Sequence, residues 1–276
     1  MTKSDRLLPV HRLFGRTVKQ FWQRKGLYLW IVAIVVVPFQ AIGAVVHDDA
    51  LTSATLNAFS TMAIAIFMNL ALIYAIMAVR AGQPVKAKLA YYEASAGAVR
   101  FIVVCLLLSF MLIPAALGGF VYLVGSYAPF GLSGSIGELL LIGLVALMVT
   151  LPSAWLLVRF SLSVVAVAID GSLPLVALRR SRELTLGRFW RVSGRLIVML
   201  LSLLLIVVIA YIPSALLGFV VKDGIVLNAI YLAFFNLLAI PFINLYQINL
   251  YQDLARVPVV PKAKRVKGGQ GTAAAA

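Results

Sequence analysis

Six apolar runs, each of about twenty residues or more, dominate the sequence: 27–46, 55–79, 101–125, 136–158, 196–221 and 225–248. A helix rising 1.5 Å per residue needs about twenty residues to cross a hydrocarbon core roughly 30 Å thick. Each run meets that length. A water-soluble domain could not hide them: 63% of the 276 residues are hydrophobic and 12% are charged, where soluble domains carry roughly 25% charge. In lipid every backbone polar group must be satisfied internally, which favours helices for such runs. The sequence therefore predicts an all-α polytopic membrane protein of six spans. It divides into a basic amphipathic N-terminal helix (1–26), a transmembrane domain (27–250) and a basic, disordered tail (251–276) that ends in "GGQGTAAAA".

The net charge of +15 would point to nucleic acid in a soluble protein. Here its placement argues otherwise. The N-terminal segment, the second and fourth connections and the C-terminal tail hold 23 of the 24 lysines and arginines. The first and third connections hold none, and the short fifth holds Lys222. The positive-inside rule then puts both termini in the cytoplasm. Membrane lipids, anionic ones above all, become the expected partners, with a partner protein or a second copy as further ones. No nucleic acid is expected.

Amphipathic segments fill the cytoplasmic side. In the first, Val10, Leu13, Phe14, Val18, Phe21 and Trp22 recur at helical spacing, which predicts an interfacial helix with its apolar face in the acyl boundary. Two more are expected at 84–100 and 174–191. The last starts with Pro174, suited to a first helical position, and Gly187 is placed to end it. It carries the densest charge, "RRSRELTLGRFWR" at 179–191. Arg179, Arg180, Arg182, Arg188 and Arg191, with Trp190 as an interface anchor, are the candidate contacts for an anionic lipid or a partner. Topology alone would also justify positive charge there, and both readings stay open.

The chain also repeats itself weakly. "PVHRL" at 9, "PVKAKL" at 84 and "PLVALRR" at 174 each open a basic segment, and each is followed by a run with a proline: Pro38, Pro114 and Pro213. A glycine stands five positions after each, at Gly43, Gly119 and Gly218. The expected unit is an amphipathic segment and a hairpin of two spans, three times over. The prolines should kink or end their helices around a shared centre, since each removes a backbone donor. In lipid the freed carbonyl needs a partner, which a neighbouring helix or a serine can supply.

Charges inside a membrane are costly and need partners. Glu138, Asp170 and Arg159 lie beside apolar runs. On one continuous helix Arg159 and Asp170 would be about 16 Å apart, so direct pairing requires a break. Snorkelling to the interface, or pairing of Asp170 with an arginine of 179–182, are the alternatives. In the last run Asn228, Asn236, Asn244, Gln247 and Asn249 either join helices or line a polar path. His11 and His47 stand on opposite sides by this topology. No metal or nucleophile motif occurs, so neither a cofactor nor catalysis is expected. Cys105, the one cysteine, reads as a small buried apolar residue.

Residues 159–192, "RFSLSVVAVAIDGSLPLVALRRSRELTLGRFWRV", resemble the core motif of the bacterial YciC-like family. That family belongs with the membrane domain found beside glycerophosphoryl diester phosphodiesterases. The matching positions are Arg159, Phe160, Asp170, Ala177, Leu178, Arg180, Ser181, Leu184, Thr185, Gly187, Phe189, Trp190 and Arg191. "RRSRE" departs from a pattern in which an aromatic often follows. The resemblance implies a multispan protein of the bacterial inner membrane; it does not imply diesterase activity, since the soluble catalytic barrel with its His and Glu/Asp metal set is absent from this sequence. The expected function is non-enzymatic: binding or moving a lipid-like or amphiphilic molecule, or supporting a partner that does. The alternative is an assembly factor that docks a partner protein on its basic cytoplasmic face.

Overall fold

The computed structural model describes residues 7–45, 66–127, 136–218 and 224–256, and every regular element among them is a helix. In chain order these are α1 (Val10–Gln23), α2 (Lys25–Val45), α3 (Ile66–Arg80), α4 (Ala87–Met111), α5 (Ile113–Tyr127), α6 (Ile136–Phe160), α7 (Ser163–Asp170), α8 (Pro174–Thr185), α9 (Phe189–Leu217) and α10 (Gly224–Arg256). Four stretches are long and apolar enough to cross a membrane: Ala87–Met111, Leu140–Asp170, Phe189–Leu217 and Val226–Arg256. Three shorter apolar helical stretches join them: Lys25–Gln40, Ile66–Arg80 and Ile113–Val124.

Helix α10 is the hub. It packs along α2 on one side and α9 on the other, and α1 lies across it. Leu245, Tyr246, Ile248, Leu250 and Leu254 of α10 are fully buried, as are Leu72, Ile73 and Ile76 of α3. The apolar face of α1 is turned into this core rather than into lipid: Leu13 is fully buried, Phe14, Val18 and Phe21 pack beside it, and the rings of Phe14 and Phe242 meet edge to face at 6.0 Å. The expected acyl-boundary placement of this face thus gives way to packing against α10.

The second half is thinner. Helices α5 and α6 form a closely packed pair. Their outward faces, with Leu117, Phe120, Leu140, Leu144 and Leu147, are exposed. So are Leu200, Leu204 and Val208 of α9. Soluble monomers rarely bare apolar faces of this extent, whereas lipid solvates them.

Several expected boundaries move. The run 101–125 is not one helix: α4 ends at Met111 and α5 starts at Ile113. Pro114 is the cause, since it has no N–H and crowds the preceding turn. Helix α4 is continuous from Ala87, so 84–100 and the following run are not separate elements; Ala90, Ala94, Ala98, Phe101 and Val104 form one buried stripe. The tail expected from 251 starts later, for α10 continues through Arg256 with Tyr251, Asp253 and Leu254 buried. The fourth connection is partly core: α7 buries Val165, Ala166 and Val167.

The prolines behave unequally. Pro38 and Pro213 lie inside α2 and α9, which continue past them, and Pro152 and Pro241 sit likewise inside α6 and α10. The main neighbour of α2 and of α9 is α10, while that of α5 is α6. Helices α2, α5 and α9, which carry Pro38, Pro114 and Pro213, thus pack chiefly on other helices than one another. At the break before α5 the backbone is repaired from outside. The Ser153 hydroxyl of α6 accepts from Ala115 N–H (2.9 Å) and donates to Met111 C=O (2.9 Å). It stands in for the i→i−4 bond those two groups would make in an unbroken helix. The glycine that lets the pair close is Gly118, not Gly119 of the expected spacing. A Cβ at 118 would sit 2.4 Å from Thr150 Cγ2 and 2.7 Å from the Ala146 carbonyl, while one at 119 would meet nothing within 4 Å.

Candidate functional site

The arginine-rich stretch, 179–191, folds as the second half of α8, a short turn and the first turn of α9, with α7 and a turn leading into it. Gly171 (φ 60°) ends α7 and Gly187 (φ 72°) follows the end of α8, both in the left-handed region that glycine adopts without strain. Pro174 opens α8, as the sequence suggested. One face of α8 is buried through Ala177, Leu178, Ser181, Leu184 and Thr185. Ser181 and Thr185 donate to the Arg159 carbonyl at the end of α6 (2.9 and 3.4 Å), which ties α8 against that helix end.

The opposite face is mixed. Arg179, Arg180, Arg182 and Arg191 are exposed. Beside them Leu173, Leu175, Val176 and Leu186 are also exposed, and Trp190 is 83% exposed. Arg179 pairs with Glu183 at 3.3 Å along the helix, which leaves it less available than the others. Arg188 is half-buried; burial, then the neighbouring Arg191 and Arg195, lower its pKa, and it stays charged at neutral pH because the ordinary value is so high.

Arg159 and Asp170 do not meet. The α6–α7 break lies between them, but the Arg159 guanidinium stacks over the Trp155 ring at 4.7 Å. Asp170 accepts a hydrogen bond from the Tyr251 hydroxyl, and Arg180 lies beside that same hydroxyl. The link between Asp170 and the arginines of α8 therefore runs through Tyr251 of α10. The side chain of Glu138 lies outside the described residues.

The site rests on a buried ion pair that sequence reasoning missed. Arg195 Nη1 meets Asp253 Oδ2 at 2.7 Å, with the side chains 4% and 6% exposed. Arg195 Nη2 also donates to the Leu8 carbonyl (2.6 Å), and Leu8 N–H donates to both Asp253 oxygens (3.2 and 3.3 Å). Tyr246 donates to the Arg195 carbonyl (2.8 Å). One pair thus ties α9, α10 and the segment before α1 together. In sequence Arg195 counts only toward topology, and Asp253 falls in the expected tail. The signal lay in helical spacing: Tyr246, Asn249 and Asp253 continue one face of α10.

A second polar ladder climbs α10. Asn244 donates to Asn69 of α3 (2.7 Å), and Asn249 donates to Thr17 (3.1 Å) and Gln20 (3.0 Å) of α1. These asparagines join helices. Asn228 instead lines a cavity of ≈ 650 Å³ with Tyr211, Ser214 and Tyr231, between the end of α9 and the start of α10. No group of three or more His, Cys, Asp or Glu that could hold a metal occurs among the described residues. Compared with family models, curated proteins and solved structures, the chain finds no match.

Proposed function

We propose that the protein is a non-enzymatic membrane protein that binds or moves an anionic amphiphile, with the α8 face as the contact for its charged end. The observation that carries this is the mixture on that face: exposed arginines interleaved with exposed Leu173, Leu175, Val176, Leu186 and Trp190. Phosphate and acyl chain are both served by such a surface, since arginine offers a planar fork to the anion and tryptophan and leucine accept the interface. The proposed setting is a bacterial inner membrane crossed six times, by α2, α3, α4 with α5, α6, α9 and α10. Both termini lie on the cytoplasmic side. The unequal sharing of lysine and arginine supports that orientation. The close packing of α5 with α6 and of α9 with α10 supports hairpins as the repeating unit, and the YciC-like membrane family is the kinship we propose.

The experiment is a triple substitution, Arg180→Lys, Arg182→Lys and Arg191→Lys, followed by native mass spectrometry of the purified protein. Each basic residue near an anionic surface gives about 1 kcal/mol of attraction whichever cation it is. Lysine therefore keeps the charge and loses the fork. Reduced retention of phosphatidylglycerol with unchanged insertion supports the reading. Unchanged retention ends it and leaves the stretch as a topology signal. A protein co-purifying stoichiometrically with the wild type, and lost from the variant, would favour docking of a partner.

A further inference from the structure

Where α1 ends, α2 begins and α3 ends, a cavity of ≈ 490 Å³ is lined by Gln20, Gln23, Arg24, Tyr28, Val79 and Arg80. Arg80 is half-buried there. Its Nη1 donates to Gln252 Oε1 (2.6 Å), and its Nη2 donates to Gln20 Oε1 and Asn249 Oδ1 (2.8 Å each). All three acceptors are neutral amides. Among the described residues no carboxylate forms an ion pair with Arg80, and the acid nearest along α10, Asp253, is held by Arg195 and Leu8. A guanidinium has five N–H donors, so the three bonds leave some of them open to a ligand.

The surrounding charge has the same sign. Arg24 lines the wall, and Arg16 and Arg256 stand close enough to act on Arg80 electrostatically. Arginines converging on a polar recess without an acid build a positive potential that low-dielectric walls concentrate. The contrast with Arg195, which is neutralised by its own aspartate, is direct.

We propose that this cavity is a binding site for a phosphate-bearing anion, held by the guanidinium groups of Arg24 and Arg80 with Gln23 and Tyr28 on its walls. A phospholipid headgroup and a free phosphate ion share that chemistry. The site is separate from the α8 face, and it stands or falls without it.

The test uses the full chain in detergent and native mass spectrometry, with inorganic phosphate, dioctanoyl phosphatidic acid and uncharged dioctanoylglycerol as probes. Beyond any lipid held at the α8 face, which the Arg180→Lys, Arg182→Lys and Arg191→Lys variant accounts for, the wild type takes up one phosphatidic acid saturably and no dioctanoylglycerol. Saturable uptake of inorganic phosphate as well would identify the headgroup alone as sufficient. Arg24→Gln, at an exposed side chain, weakens binding about tenfold, the size of one charged hydrogen bond. Gln23→Glu puts a carboxylate on the cavity wall; it abolishes anion binding and raises the thermal midpoint, because the arginines gain a resident counterion. Arg12→Gln, an equal loss of charge elsewhere on α1, leaves binding unchanged. Absence of saturable binding of either anion, or equal affinity in Arg24→Gln and Gln23→Glu, would overturn the site.

Discussion

The two halves of the bundle are held by different means. Around α10 an apolar core is joined by polar contacts, buried or half-buried: the Arg195–Asp253 pair, the Leu8 clamp, the Arg80 amide cluster and the Asn244–Asn69 bond. Between α5 and α6 the means are steric: one glycine, one serine and a wide apolar surface turned outward. Lipid explains the difference. Apolar side chains gain little by leaving acyl chains for one another, so a lipid-facing pair associates through close backbone approach and shape. Where helices meet α1 and the connecting segments, long polar side chains can be desolvated together and specify which helix sits where.

The largest effect expected follows from the polar half. Asp253→Asn leaves Arg195 buried without its charge partner and should cost about 3–5 kcal/mol. Denaturant-titrated unfolding in detergent, followed by circular dichroism, measures it. The same variant loosens Leu8, so limited proteolysis should cut the N-terminal segment faster. Replacing both partners with apolar residues, Arg195→Met with Asp253→Leu, should recover most of the loss, since no charge is then stranded. A cost below about 1 kcal/mol for Asp253→Asn, as seen for exposed pairs, would show the pair to be wet and would erase the contrast between the halves.

The steric half breaks at Gly118. Gly118→Ala forces a Cβ to within 2.4 Å of Thr150 Cγ2 and 2.7 Å of a backbone carbonyl, an overpacking cost of about 1–3 kcal/mol. Gly119→Ala meets nothing and should stabilise slightly, by about 0.5–1 kcal/mol, through helix propensity. Thermal midpoints of the two variants decide between the neighbouring glycines. If they shift alike, close approach at 118 does not hold the pair.

Ser153 sharpens the comparison further. Ser153→Ala strands Ala115 N–H and Met111 C=O and should cost about 1 kcal/mol. In a Pro114→Ala background the helix can close its own bond, so the same substitution should cost next to nothing. A double-mutant cycle on unfolding free energy reads the difference. Equal costs in both backgrounds would mean the serine does not repair the break.

How much of this could be read beforehand differs by kind of interaction. Features local in sequence were legible: the helical class, Pro174 opening α8, Gly187 closing it, and a serine as the partner for groups freed by proline. The last was anticipated as chemistry but not as Ser153, because one hydroxyl in an apolar run has no periodic signature. Interactions far apart in sequence were not legible. Arg195 and Asp253 are 58 positions apart, and a rule that counts positive charge toward topology sets no charge aside for the core. Hydropathy also joined 101–111 to 113–125 across a proline, because it weighs side chains and ignores the backbone donor that proline lacks.

The smallest effect tests whether the polar half is polar for stability or for specificity. Asn244 donates to Asn69 Oδ1 at 2.7 Å and to the Ile240 carbonyl of its own helix at 2.9 Å. Hydrogen bonds between membrane helices average about 0.6 kcal/mol and reach about 1.7 at most, because the separated helices find other partners. Asn244 carries its fallback on α10 already. Asn244→Leu removes one hydrogen bond of Asn69 and should therefore cost only about 0.6 kcal/mol, and Asn69→Leu with Asn244→Leu should cost a similar amount. What should change is register: with both amides gone, the polar bond that fixes α3 against α10 at this level is lost, and the apolar surfaces that remain can slide past one another at little cost. Cysteine cross-linking between α3 and α10, in a Cys105→Ala background, measures that. One cross-linked pair in the wild type should broaden to several in the double leucine variant, with the thermal midpoint nearly unmoved. A single sharp pair in both would show that packing alone sets the register and that the asparagines serve stability.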